Sequence, residues 1–383
     1  MDAKKFLEKL ERLSLRRLLR PVVPLSSREC LVEGRKVVDF SSNDYLSLAA
    51  HPLIVEKSVE WTKKYGTGSK ASRLISGTLS QYQEIEKEIA EWKKTESSLI
   101  LGSGFLANTG AIPALADRKA TIFADKLNHA SLNSGALLSG ADFKRYRHLD
   151  MECLEKMLLD TPSEAEKLIL SDTVFSMDGD IADIHGLVKF AEKHNALLYF
   201  DDAHATGVFG ENGEGLVSGT LSEKTVIMGT FSKAMGSYGA YIACSGDFRD
   251  YFINRFSTFI YSTALPPGIY GAISAAVKLV QTSEYREIRE KLLAKSADFV
   301  CELRRLGFDC GKTSSQIIPV MIGDSDKAMR ISQKLLENGI LAVAVRPPTV
   351  PEGCARLRIS LNASHTADDL ANFAGKLVKC YET

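Results

Sequence analysis

Between about residue 97 and residue 245, short apolar runs alternate with stretches of helical periodicity, and no other feature restricts the fold so strongly. Residues 98–101, 121–124, 168–170, 197–200, 226–228 and 240–244 are short, apolar and bounded by polar or glycine-containing segments, as buried strands are. Strands that alternate with helices build an α/β domain with a mostly parallel sheet. Ligands of such sheets gather at the carboxyl ends of the strands. Ser103-Gly104-Phe105, His129, Ser176, Asp201 and Lys233 each follow a strand-like run, so one crevice is expected to collect them.

Pro266-Pro267-Gly268 breaks this pattern. A long helical stretch then runs to about Leu306, and strands at 317–322, 341–345 and 355–361 mix with helices at 327–338 and 367–380, which predicts an α+β region. The expected division is an N-terminal helix and arm (1–45), a large α/β domain (46–270) and a C-terminal α+β domain (271–383). Phe6, Leu7, Leu10, Leu13 and Leu18 recur at helical spacing among many charges, so the N-terminus reads as an amphipathic helix lying on the fold or on a partner subunit. It lacks the continuous apolar core of a secretory signal or membrane span.

With 383 residues, the chain is long enough to bury a deep site. Its 48 basic and 48 acidic residues leave no global field to gather nucleic acid or an anionic membrane, which favours small-molecule chemistry. Seven cysteines without a Cys-x-x-Cys pair fit reduced thiols and a cytoplasmic setting.

Lys233 stands in Thr230-Phe-Ser-Lys-Ala-Met-Gly236, and Asp201-Asp-Ala-His204 follows another strand-like run. An aldehyde cofactor acting as an electron sink needs a lysine to hold it, a carboxylate to keep its pyridine nitrogen protonated, and donors for its phosphate. Gly102-Ser-Gly-Phe-Leu-Ala-Asn108 opens a helical pattern whose backbone N–H groups suit a phosphate, and Thr230 and Ser232 add hydroxyls. Taken singly, each piece has a plain reading: a surface lysine, a glycine turn, a buried capping aspartate. Asp201, Asp202 and His204 lack a third ligand at metal-binding spacing, so no metal is expected. His129 reads either as a satisfied core histidine or as a flat ring that stacks on a cofactor and handles protons. Ser176 precedes an Asp-Gly turn and could also bond a phenolic oxygen. Val345-Arg-Pro-Pro-Thr-Val-Pro351 is stiffened by prolines and presents Arg346 and Thr349 for substrate selection. Arg356 and Arg358 alternate on one strand and point the same way; one suits a structural ion pair, the other a carboxylate clamp.

With Ser41-Ser-Asn-Asp-Tyr-Leu46, Asn128-His-Ala-Ser131, Phe175-Ser-Met-Asp-Gly-Asp180 and Tyr261-Ser-Thr-Ala-Leu-Pro-Pro267, these motifs run nearly the whole chain in an order that resembles the α-oxoamine synthases. The resemblance implies a fold-type I transferase dependent on pyridoxal 5'-phosphate, with a mostly parallel seven-stranded sheet and a smaller α+β domain. It implies that Lys233 carries the cofactor, Asp201 pairs with the pyridine nitrogen, His129 stacks on the ring, and Ser176 and His204 bond the phenolic oxygen. Ser103, Gly104, Phe105 and Thr230 would hold the phosphate, with Thr263 reaching over from the partner of a homodimer. Asn43, His129 and Arg358 match substrate positions around the amino-acid carboxylate, while Arg17, Arg346 and Thr349 match the acyl side. Two positions depart from the family's usual residues: Lys70-Ala71 replaces a glycine pair, predicting a less flexible loop, and Asp172 replaces a glutamate of longer reach.

The implied reaction is decarboxylative condensation of an amino acid with an acyl thioester. The Arg-Pro-Pro-Thr-Val-Pro loop points to L-alanine and pimeloyl-CoA or a pimeloyl-acyl carrier protein. Glycine-using relatives with acetyl, succinyl or long-chain acyl donors are the nearest rivals. An aminotransferase or lyase would share Lys233 and Asp201 but release no thiol, and a non-enzymatic scaffold would need none of these groups.

Overall fold

One strand of the principal sheet, Ala240–Cys244, runs against its neighbours; the other six share one direction. In this computed structural model, which describes residues 2–12, 15–218 and 222–382, the seven strands are ordered Ser97–Leu101, Ala240–Cys244, Thr225–Thr230, Leu197–Asp201, Glu166–Asp172, Ala120–Asp125 and Asp142–Tyr146. Every residue of Ala120–Asp125, Thr225–Thr230 and Ala240–Cys244 is buried, as in a sheet covered on both faces. That burial explains why these strands are continuous apolar runs. The strand absent from the sequence-based expectation is Asp142–Tyr146, an edge strand with mostly accessible side chains and no apolar run.

The chain separates into two compact units. The larger comprises Leu48–Phe175 and Ile181–Arg289; the smaller comprises Met1–Ser47, Ser176–Asp180 and Glu290–Thr383. The larger unit thus extends past residue 270, and the turn after Phe175 groups with the C-terminal part of the chain.

The smaller unit contains two sheets. Ile317–Gly323, Ala355–Ser360 and Val343–Val345 form one; Val22–Pro24, Glu29–Val32, Arg35–Asp39 and Ile340–Leu341 form the other. The single strand expected at 341–345 is therefore two. Ile340–Leu341 pairs in parallel with Arg35–Asp39, and Val343–Val345 pairs antiparallel with Ala355–Ser360. The N-terminal arm thereby supplies three strands, and its helix, Ala3–Arg12, buries none of its residues. Leu13 lies outside the described residues. No helix among the described residues is long and apolar enough to cross a membrane, and all seven cysteines are free thiols.

A histidine closes the C-terminal core of this unit. His365 is 2% exposed and stacks on Phe40 with ring centroids 4.3 Å apart. Its Nδ1 accepts from the Asn362 N–H at 3.0 Å, which leaves Nε2 to donate to the Asp39 carbonyl at 3.1 Å. Burial pushes its pKa down to about 4, against the pull of the Asp39 carbonyl and the Asp369 charge and with help from Lys295 and Arg28. A histidine depressed on folding contributes stability above its unfolded pKa near 6.5 and loses it as pH falls. Wild type should therefore lose about 2 kcal/mol from this group between pH 7 and pH 4.5. Denaturant midpoints of wild type and His365→Gln at both pH values check this: the gap between them should narrow on acidification.

Candidate active site

Five strands of the large sheet end in, or lead directly to, polar side chains of the larger unit: Ser103, His129, Asp172, Asp201 and Thr230. Asp201 ends its strand at 4% exposure. Its Oδ1 accepts from the Ala203 N–H at 3.0 Å and its Oδ2 from Asn108 Nδ2 at 2.8 Å. Among the described residues no cation pairs with it. A buried carboxylate with only neutral donors keeps acceptor capacity for a cationic N–H, which fits a pyridinium nitrogen.

The next residue is committed elsewhere. Asp202 and Lys93 form an ion pair of 3.0 Å whose side chains are fully buried. Lys93 also donates to the Glu214 carbonyl, and Asp202 Oδ1 accepts from Thr173 Oγ1 at 2.8 Å and from the Leu216 N–H at 3.3 Å. Burial raises the Asp202 pKa and works against the Lys93 charge, but Asp202 and Tyr241 together outweigh that burial and hold the lysine above its ordinary value. The many donors around Asp202 favour the charged pair. Gly215 closes the cage: at φ +97°, any Cβ there would lie 1.8 Å from Asp202 Oδ2.

Lys233 lies in the turn after Thr225–Thr230, with Nζ 2.9 Å from His204 Nε2. His204 is 5% exposed. The turn needs Gly236, whose N–H donates to the Lys233 carbonyl at φ +61°, where a Cβ would meet the Leu48 backbone at 2.3 Å. Ser103 caps the helix Gly104–Leu115 by accepting from the Leu106 N–H at 3.3 Å. The Gly104 and Phe105 amides have no acceptor among the described residues, and a Cβ on Gly104 would lie 4.0 Å from the Thr230 side chain. A helix N-terminus with open amides beside a threonine fits a phosphate.

His129 caps the helix Ala130–Ser139. Its backbone N–H donates to Asp172 Oδ2 at 2.7 Å, so the aspartate, short as it is, does make a contact. Asp172 lies beside Asp201 in register, and burial, then the Asp201 charge, push its pKa well above the carboxylate range. Burial also holds His129 below its ordinary pKa; Asp201 opposes this and Lys233 adds to it.

Thr263 is exposed and bridged to Ser72, while the Ala71 carbonyl accepts from the Ala264 N–H at 3.0 Å. Lys70 holds φ +67°, the left-handed region that favours glycine, which is the physical reason a glycine would be the easier residue there.

The remaining candidates belong to the smaller unit. Arg358 donates to the Ser176 carbonyl (2.6 Å), Ser360 Oγ (2.8 Å), Asn43 Oδ1 (3.2 Å) and Tyr45 OH (3.4 Å). All four acceptors are neutral, although the residue is only 8% exposed. Asn43 Oδ1 also accepts from Tyr45 OH at 3.0 Å, and its amide nitrogen has no partner among the described residues. Arg356 differs: its Nη1 pairs with Asp178 at 2.5 Å. Arg17 Nη2 donates to Thr349 Oγ1 at 3.0 Å, and Arg346 donates to the Arg16 carbonyl at 2.8 Å and contacts Met329.

Sequence reasoning gave no role to Asn108, Ser131 or Tyr199, which join Asp201 to His129. The available signal was spacing: Asn108 lies four residues after Gly104, one helical turn inside the capped helix.

The family model Aminotransferase class I and II matches residues 35–377. A protein of Paramagnetospirillum magneticum provisionally named 8-amino-7-oxononanoate synthase is 45% identical over 384 residues, covering 99% of this chain and 97% of its own. This chain belongs to the 8-amino-7-oxononanoate synthase family. As a member of that family it is a pyridoxal phosphate-dependent acyltransferase of fold type I. Among solved structures, SPT with PLP as internal aldimine is 27% identical with a TM-score of 0.93, covering 99% of this chain and 96% of that one. The 8-amino-7-oxononanoate synthase of Francisella tularensis is 29% identical with a TM-score of 0.78, covering 90% and 97%.

Proposed function

We propose that this family member condenses L-alanine with a pimeloyl thioester, carried by coenzyme A or an acyl carrier protein, to give 8-amino-7-oxononanoate, CO2 and free thiol in biotin biosynthesis. The observation that carries the reading is 45% identity along 99% of the chain to a relative bearing that name. Backbone likeness alone would favour the serine palmitoyltransferases, whose name implies serine and a palmitoyl donor, but at 27–28% identity the side chains are less shared. A thiol-release assay over alanine, glycine and serine against pimeloyl, acetyl and palmitoyl thioesters separates these readings. Alanine with pimeloyl should give the fastest release and the expected product mass; fastest release with serine and palmitoyl would overturn the assignment.

The chain's own residues have distinct tasks. The bound cofactor supplies an electron sink for charge developing at the amino-acid α-carbon. Asp201 holds a proton on the pyridine nitrogen, and the open amides at Gly104 and Phe105, with Thr230, anchor the phosphate. Lys233, with His204 at 2.9 Å, is the covalent anchor and afterwards the base that takes and returns the α-proton. Arg358 and the Asn43 amide hold the amino-acid carboxylate until it leaves as CO2. Arg17, Arg346 and Thr349 serve the acyl chain, and Ser176 and His204 the phenolic oxygen. A homodimer is part of the proposal: Ile75, Leu137, Leu138 and Tyr261 are 66–84% exposed, an apolar display suited to a second copy that would bring Thr263 to the phosphate. Light scattering should then give twice the 42.0 kDa chain mass.

The two arginines give a controlled test. Arg358→Lys keeps the charge but loses the planar fork, so the KM for alanine should rise about tenfold or more, the size of a lost charge-assisted hydrogen bond, with the cofactor absorbance unchanged. Arg356→Lys should leave alanine titrations within about twofold, because Arg356 is occupied by Asp178. The reverse pattern would exchange their roles.

A further inference from the structure

Five side chains of the larger unit form one hydrogen-bonded network that joins the carboxylate assigned to the cofactor to the ring assigned to stack on it. Tyr199 OH donates to Asn108 Oδ1 at 2.8 Å. Asn108 Nδ2 donates to Asp201 Oδ2 at 2.8 Å and to Ser131 Oγ at 2.8 Å. Ser131 Oγ lies 2.6 Å from His129 Nδ1, and the Ser131 N–H also points to that nitrogen at 3.3 Å. Asn108 is 0% exposed, Tyr199 0%, Ser131 1% and Asp201 4%, so water does not compete for the bonds among these four, while His129 at the end of the network is exposed.

Donor and acceptor capacity fixes the direction of the bonds around Asn108. A carboxylate only accepts, so the Asn108 NH2 must face Asp201, and the same nitrogen delivers its second hydrogen to Ser131. Burial, then the Asp201 charge, hold the Tyr199 phenol protonated, so it donates to the amide oxygen. The last bond is set by the backbone: the Ser131 N–H points to His129 Nδ1, which marks that nitrogen as an acceptor, so the Ser131 hydroxyl sends its own hydrogen there. A nitrogen that accepts there carries no proton, and the ring's proton is on Nε2.

We infer that Asn108 is a positioning residue that couples the two cofactor contacts: one amide both orients the Asp201 carboxylate and, through Ser131, sets His129 as the neutral Nε2–H tautomer. A neutral ring can stack on a pyridinium without adding a second positive charge, and a fixed tautomer leaves only an N–H donor at the ring's open edge. The inference rests on the proposed roles of Asp201 and His129. Its test does not depend on which substrates are used.

The tautomer is read in cofactor-free protein by long-range 1H–15N correlation on imidazole-labelled histidines, the His129 signal being assigned with His129→Gln. Wild type should show Nε2–H alone. Asn108→Asp removes the donor and turns the Ser131 hydroxyl toward the new carboxylate, so the Nδ1–H form should rise to half or more of the His129 signal. Pyridoxal 5'-phosphate titrations supply the second arm and remain available if Asn108→Asp fails to fold. Asn108→Ala takes a donor from Asp201 and should weaken cofactor binding about tenfold, whereas Ser131→Ala leaves the Asn108–Asp201 bond intact and should stay within about threefold. An Nδ1–H ring in wild type, an unchanged tautomer in Asn108→Asp, or wild-type cofactor affinity in Asn108→Ala would each overturn the coupling. A failure of the alanine and pimeloyl assignment with these results intact would leave it standing.

Discussion

Replacing Lys233 by alanine is expected to lower turnover by at least about four powers of ten, roughly 5.5 kcal/mol of barrier, because the proposed function makes one amine both covalent anchor and proton carrier. The variant should retain its fold, since Lys233 is only partly buried and its contact with His204 lies at the open end of the strand. Absorbance of the purified wild type should show the cofactor covalently held, and borohydride reduction followed by peptide mapping should place the label on Lys233. Lys93 is the instructive competitor: it is fully buried, paired with Asp202 and bonded to the Glu214 carbonyl, which makes it a poor nucleophile. Label on Lys93 or any other lysine, or near-normal turnover of Lys233→Ala, would sink the assignment.

Asp201→Asn should cost about three powers of ten in kcat, near 4 kcal/mol, while the protein still takes up cofactor through Lys233 and the phosphate amides. Two effects act together. A neutral amide cannot hold a proton on the pyridine nitrogen, so the electron sink weakens. Both Asp201 oxygens also accept from fixed donors, Ala203 N–H and Asn108 Nδ2, so either orientation of the new amide sets N–H against N–H. Asp202 cannot take over, because its charge is paired with Lys93 and its other oxygen already accepts from Thr173 and Leu216. Single-turnover measurements with saturating cofactor separate loss of chemistry from loss of binding; turnover within tenfold of wild type would show that Asp201 is not the pyridine partner.

Much of this protein is legible in its sequence because burial on both faces leaves little choice of residue. The strands Leu197–Asp201, Thr225–Thr230 and Ala240–Cys244 appear as apolar runs because helices cover both sides of the sheet, and the polar residues that end them stand out by contrast. Asp142–Tyr146 escapes because an edge strand needs no such run. The division at Ala342, between a strand pairing with Arg35–Asp39 and one pairing with Ala355–Ser360, escapes because the first of these partners lies near the opposite end of the chain.

The sequence by itself determined the parallel α/β sheet, the order of chemistry along the chain, and which lysine, aspartate and phosphate loop to suspect, since each follows from local periodicity and from residue types that short strands and turns select. Only the tertiary structure shows how chemically equivalent residues are partnered. Asp201 and Asp202 are adjacent and chemically identical, and it is Lys93, 109 positions away from Asp202, that occupies one and leaves the other. Arg356 and Arg358 share a strand face, and it is Asp178 that takes the first while neutral acceptors hold the second. Charge pairing and hydrogen-bond direction depend on groups brought together by long-range folding, and neither is written in the spacing of a single segment.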